Sequence, residues 1–104
     1  MLLVNTPDIP SKKIVKTIGL VKGSTIRAKH IGKDIASGFR HLVGGEMKEY
    51  SDMLNEARQI ATKHMVDEAT AQGANAIINI RYASSSVVQG AAEIMVYGTA
   101  VVYE

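Results

Sequence analysis

The chain has 104 residues, of which 46% are hydrophobic and 21% charged, and a formal net charge of +2. That is the profile of one small globular domain, not of a disordered or fibrous chain. It contains no cysteine, which excludes a disulfide framework, thiolate metal ligation and a cysteine nucleophile, and fits a reducing compartment. No apolar run approaches the roughly 20 residues that span a bilayer, and Met1–Asn5 has neither a basic start nor a long apolar stretch, so a cytoplasmic protein without a membrane partner is expected.

The net charge conceals an asymmetry. Up to Gly44 eight basic residues face two acidic ones, and from Gly45 onward four face eight. An anionic partner for the basic half is one reading. Pairing of the two halves between neighbouring subunits or packed elements is the plainer one, because halves of a sequence are not faces of a surface. A chain of this length buries about two thirds of its unfolded surface, so further apolar surface is expected to be hidden by oligomerisation.

In chain order, Met1–Asn5 reads as a short strand, followed by an irregular turn over Thr6–Ser11 that holds both prolines, Pro7 and Pro10. Lys13–Val21 alternates as a strand, with Ile14, Ile18 and Leu20 on one face and Val15, Thr17, Gly19 and Val21 on the other. Lys22-Gly23-Ser24 has turn chemistry, and Thr25–Ala28 resumes as the second arm of a hairpin. Ile31, Ile35, Phe39 and Leu42 recur at helical spacing and predict a short helix over 31–42, which Gly44-Gly45 would close. A longer helix is predicted over 48–72, with Tyr50, Leu54, Ala57, Ile60 or Ala61, Met65 and Ala69 as its core face. Glu46, Glu49 and Asp52 suit its N-terminal pole, and Gly73 its end.

Ala76–Tyr82 then alternates, with Ile78, Ile80 and Tyr82 opposed to Ile77, Asn79 and Arg81. The serines Ser84, Ser85 and Ser86, with Gln89-Gly90, read as the loop after it. The last strand, 93–103, is apolar on both faces: Ile94, Val96, Gly98, Ala100 and Val102 oppose Met95, Tyr97, Thr99, Val101 and Tyr103. Helices of so small a chain can cover one face, so a second subunit is expected on the other. The fold class is therefore α+β: a single domain in which an antiparallel or mixed sheet packs with one short and one long helix.

No motif names a reaction. His30, His41 and His64 have no recognised metal-ligand spacing. His64 and Glu68 lie four apart on the long helix and could hold one edge of a divalent metal, with water or another subunit completing the shell. Helices carry such pairs constantly, and a packed or surface histidine is the plainer reading. No Gly-x-Ser-x-Gly elbow places a nucleophile. Gly44-Gly45 lacks the Lys of a phosphate loop and is followed by Glu46, so helix termination accounts for it better than anion binding. Arg27, Lys29 and Arg40 could meet nucleic acid, but the chain has one Phe and four Tyr to stack bases and no recognition signature, so nucleic acid is not expected as a partner. The methionines read as gap-filling core.

The order of segments is itself distinctive. It runs from Gly23-Ser24-Thr25-Ile26-Arg27-Ala28-Lys29-His30-Ile31-Gly32-Lys33-Asp34-Ile35 to Phe39-Arg40-His41-Leu42-Val43-Gly44-Gly45, then through Tyr50, Leu54 and Ala57-Arg58. It continues with Gly73-Ala74-Asn75-Ala76-Ile77-Ile78 and Tyr97-Gly98-Thr99-Ala100-Val101. Over nearly the whole chain from Ile14 this resembles the YbjQ-like family, small bacterial and archaeal proteins of unestablished function that are sometimes labelled heavy-metal-binding. The resemblance implies one domain over residues 1–104 that assembles into a ring-shaped homopentamer, with no established activity. In relatives the strand after Gly-Ala-Asn-Ala is often followed by acidic and aromatic residues, whereas here Asn79-Ile80-Arg81-Tyr82-Ala83 has no carboxylate. With no cysteine either, the usual ligand for soft metals is missing.

These readings converge on a non-enzymatic oligomeric binding or scaffold protein that holds a small molecule or ion. Arg27, Arg40, Tyr50, Arg58 and Arg81 are the candidate ligand-binding residues of an intersubunit pocket. The alternative is a divalent or heavy-metal-binding protein using His64 and Glu68. A third class is an enzyme whose site Tyr50, His41 and Arg40 assemble from different chains.

Overall fold

The computed structural model describes residues 1–28, 45–88 and 91–104. Four strands and one helix follow in the order β1 (Leu2–Leu3), β2 (Ile14–Ala28), α1 (Gly45–Ala71), β3 (Ala76–Val88) and β4 (Ala91–Tyr103). The strands form one mixed sheet of order β1-β3-β4-β2. β1 is parallel to β3, whereas β4 is antiparallel to both of its neighbours. The fold is the expected α+β single domain. Of the two helices expected, the described residues contain one; the segment 31–42 assigned to the short helix lies outside them.

The long helix forms where its periodicity put it. Ala57, Ala61, Met65 and Ala69 are fully buried at helical spacing, and Leu54 and Val66 pack beside them. These side chains meet Val21 of β2, Ile77 and Ile80 of β3, and Ile94, Val96 and Ala100 of β4. The helix ends in a Schellman motif. Gly73 takes φ +88°, its N–H donates to Thr70 O, and Ala74 N–H donates to Ala69 O at 3.1 Å. A left-handed residue just past the helix is what this motif requires, and glycine adopts it without a Cβ penalty.

Three sequence expectations are corrected. Gly23 is no turn: β2 runs unbroken through it, and no hairpin forms between Val21 and Thr25. A Cβ on Gly23 would stand 2.0 Å from Ala61 O and 2.6 Å from Met65 N. The glycine is there so that the helix backbone can lie directly on the strand. The serine run is no loop either, because Ser84, Ser85 and Ser86 continue β3 opposite Ile94, Glu93 and Ala92 of β4. Gln89-Gly90 lies outside the described residues.

The third correction concerns side-chain parity. β3 bulges between Ile78 and Arg81, with Asn79 at φ +54°. An inserted residue reverses which face later side chains take. Ile77 and Ile80 therefore share the core under α1, while Ile78 joins Ile9, Ala76 and Val101 in a small cluster on the opposite face. Gly98, facing the bulge, leaves room for it, since a Cβ there would come within 2.8 Å of Ile77 Cγ2. A second bulge, between Thr17 and Gly19, separates Ile18, packed against the α1 core, from Leu20, which is 69% exposed.

Candidate functional site

Helix α1 packs mainly on β2 and β4 and scarcely on β3. Among the described residues the flank beside β3 is an open groove of about 410 Å³ lined by Arg58, Gln59, Thr62, Lys63, Val66 and Tyr82. Arg58, Thr62 and Val66 form one row of the helix at i, i+4 spacing, so they present a continuous edge to the strand. The Thr62 hydroxyl donates to Arg58 O at 2.7 Å, which spends its one proton, so at 2.9 Å the Tyr82 hydroxyl donates to Thr62 Oγ1. The Arg58 guanidinium donates to Asn55 Oδ1 at 2.8 Å, and Lys63 Nζ donates to Asp67 Oδ2 at 2.9 Å. Val66 and the faces of these side chains make the groove apolar at its base and cationic at its rim.

The opposite flank of α1 borders β2. There Glu56 pairs with Arg27, and His64 Nδ1 lies 3.1 Å from Ser24 O. A carbonyl only accepts, so Nδ1 carries a proton, and in the neutral ring Nε2 then holds the lone pair. Glu68 follows one turn later and is partly buried.

Arg81 stands apart from both flanks. Its Nη1 donates to Asn5 O at 2.9 Å and Ile80 O at 3.0 Å. It fastens the chain after β1 to the bulge of β3, next to the backbone bonds from Asn79 N–H to Thr6 O and from Ile80 N–H to Val4 O. Tyr50, near the start of α1, is half-buried.

Of the candidate ligand-binding residues, Arg27, Arg58 and Arg81 lie on separate surfaces of the protomer. Arg58 lines the groove, Arg27 is on the far flank, Arg81 shares the other sheet face with Tyr97, and Arg40 and His41 fall outside the described residues. No three His, Cys, Asp or Glu residues gather among the described residues in a group that could hold a metal ion. Sequence reading missed Thr62 and Tyr82 as groove residues. The i, i+4 relation of Thr62 to Arg58 was a usable signal, whereas the side of the sheet that the groove occupies follows from the helix's lateral position.

Comparison with known proteins places this arrangement. A family model described as "Putative heavy-metal-binding" matches residues 1–104. A UPF0145 protein of Alkaliphilus metalliredigens (strain QYMF) is 70% identical over 101 residues, 97% of each chain. One from Dehalococcoides mccartyi (strain 195) is 58% identical over the full length of both. This chain belongs to the YbjQ-like UPF0145 family. Among solved structures, a protein of unknown function of the DUF74 family from Pediococcus pentosaceus ATCC 25745 superposes with a TM-score of 0.64 over all of this chain and 98% of its own, at 15% identity. That likeness concerns the fold alone. No helix among the described residues is long and apolar enough to cross a membrane.

Proposed function

We propose that this YbjQ-like protein is a non-enzymatic homo-oligomer, a cytoplasmic homopentamer that binds a small molecule or ion where subunits meet. The observation that carries the reading is the face of the sheet turned away from α1. Leu20 and Ile26 are 69% and 60% exposed there, beside Tyr97 and the half-buried Met95. Large apolar side chains left this exposed on a small chain suit a surface that a partner covers. The dimensions agree: the radius of gyration is 17.1 Å, against about 13 Å for a compact domain of roughly 100 residues. Candidate ligand residues spread over separate surfaces suit a site completed between chains. Native mass spectrometry of protein purified without a metal-affinity tag tests this. A pentamer with a reproducible additional mass is expected, and a monomer overturns the reading.

Metal binding is the second reading, favoured by the tautomer of His64. Ligating histidines characteristically donate their second ring N–H to a carbonyl, as His64 Nδ1 does to Ser24 O. His64 Nε2 and Glu68 then supply two ligands, and a neighbouring subunit or water the rest. Titration with zinc should give stoichiometric uptake that His64→Ala abolishes. Unchanged uptake in the variant removes this reading and leaves the oligomer standing.

A further inference from the structure

We propose that the open edge of β3, with the groove beside it, receives strand β2 of a second copy of this chain in parallel, so that one sheet runs on from subunit to subunit. The inference rests on the homo-oligomer reading and specifies how the copies join.

Two unpaired edges carry it. β1 pairs with β3 at Ala76 and Ile77, and the chain after β1 stays bonded as far as Ile80 and the Arg81 side chain. From Tyr82 to Ser86 no described residue pairs with the outer edge of β3. That stretch, Tyr82-Ala83-Ser84-Ser85-Ser86, is in regular register with β4 and contains no proline, charge or bulge. Between the register shifts at Ile78/Arg81 and Ser86/Val88 it is a regular, uncharged edge open to pairing. At the other side of the sheet, β2 is the terminal strand, and among the described residues its outer edge is unpaired over a 15-residue strand.

Direction and closure fit as well. β2 and β3 are both antiparallel to β4, so they run parallel to each other. A copy rotated about an axis along the strands presents its β2 parallel to this β3. Pairing of β3 with its own copy would be isologous and end at two subunits. The β2-to-β3 contact is heterologous and continues until a ring closes, as an odd-numbered ring requires.

The groove supplies the side-chain half of the site. Three long strands span about 14 Å of sheet, while the helix covering them is about 10 Å across. A continued sheet therefore leaves a gap between helices above β3, which is where the groove lies. The arriving copy brings the flank of α1 over its own β2, the row Glu56, Ile60 and His64. In the groove it meets the row Arg58, Thr62 and Val66. Half-buried Ile60 then finds apolar surface at Val66. Main-chain bonds along an edge with side chains seated in an adjoining groove are a general mode of strand addition.

The absence of cysteine makes the test clean. Within one chain β2 and β3 flank β4 and lie two strand spacings apart, about 10 Å, beyond the ~7 Å Cα separation that a disulfide spans. A disulfide between them must therefore join two chains. Lys22→Cys, Ser24→Cys or Ile26→Cys on β2 is combined in turn with Ala83→Cys or Ser85→Cys on β3. All five positions are exposed and share the face away from α1. Mild oxidation of at least one pair should give a thiol-reversible ladder of covalent multimers on denaturing electrophoresis, with the single variants remaining monomeric there. A multimeric native mass with no ladder from any pair overturns this mode of joining and leaves the oligomer intact. A covalent dimer from Ser85→Cys alone overturns it in favour of β3 pairing with its own copy. A monomeric native mass overturns both readings.

Discussion

The two faces of the sheet are built to opposite standards. Under α1 the fit is so close that Gly23 has no room for a methyl group, and alanines 57, 61 and 69 let the helix settle onto the strands with Met65 filling the space between. On the other face a cluster of Ile9, Ala76, Ile78 and Val101 covers one end, and the remainder carries exposed Leu20 and Ile26. The same strands make both faces, so strand propensity does not explain the difference. What differs is what lies against them among the described residues: a helix along one side and, on the other, only the small cluster at one end. The first face holds the subunit together, and the second is the one on which the proposed assembly draws.

Substitutions can break that contrast or sharpen it. The largest effect is expected from Gly23→Val, which drives a side chain into the backbone of Ala61 and Met65. Overpacking costs about 1–3 kcal/mol and more where the obstacle is backbone that cannot move, and the variant should lose its cooperative thermal transition. Met65→Ala empties the centre of the same face and should lower stability by about 2–5 kcal/mol, read as a shift in the denaturant midpoint at unchanged slope. On the open face, Leu20→Ala with Ile26→Ala should change the stability of the isolated subunit by no more than about 0.5 kcal/mol for each site. The same pair should shift native mass toward monomer, because it removes apolar surface that assembly would bury. A loss of subunit stability as large as that of Met65→Ala would erase the distinction between the faces. Smallest of all is Arg27→Ala, which removes a largely solvated ion pair with Glu56. Such pairs contribute about 0–1 kcal/mol, and the effect should fade further as salt is raised.

The closely packed face was the more legible in sequence, and its helix most of all. Ala57, Ala61, Met65 and Ala69 recur at 3.6-residue spacing, and Gly73 announces the stop; both signals are local. Strand parity was less legible, because one inserted residue reverses it and bulges have no fixed signature. Asn79, a residue that tolerates left-handed backbone, was the available hint. Gly23 was misread because glycine beside serine signals a turn and a close approach equally well. The serines of β3 were misread because polarity marks an exposed strand as readily as a loop. Of the candidate site, Arg58 was found and its partners Thr62 and Tyr82 were not, since their meeting depends on where α1 sits across the sheet.

The pairing of Leu2 and Leu3 with Ala76 and Ile77 has a kinetic consequence. It joins points some 70 residues apart in the chain, so its loop-closure entropy is high, while its strand ladder is only two residue pairs long. β3 and β4 follow one another and pair antiparallel over most of their length, a local contact that forms early. The order of assembly is therefore the reverse of the order of synthesis, with the first-made strand the last to lock. Its amides should also be the first to exchange with deuterated solvent, well before those of β4.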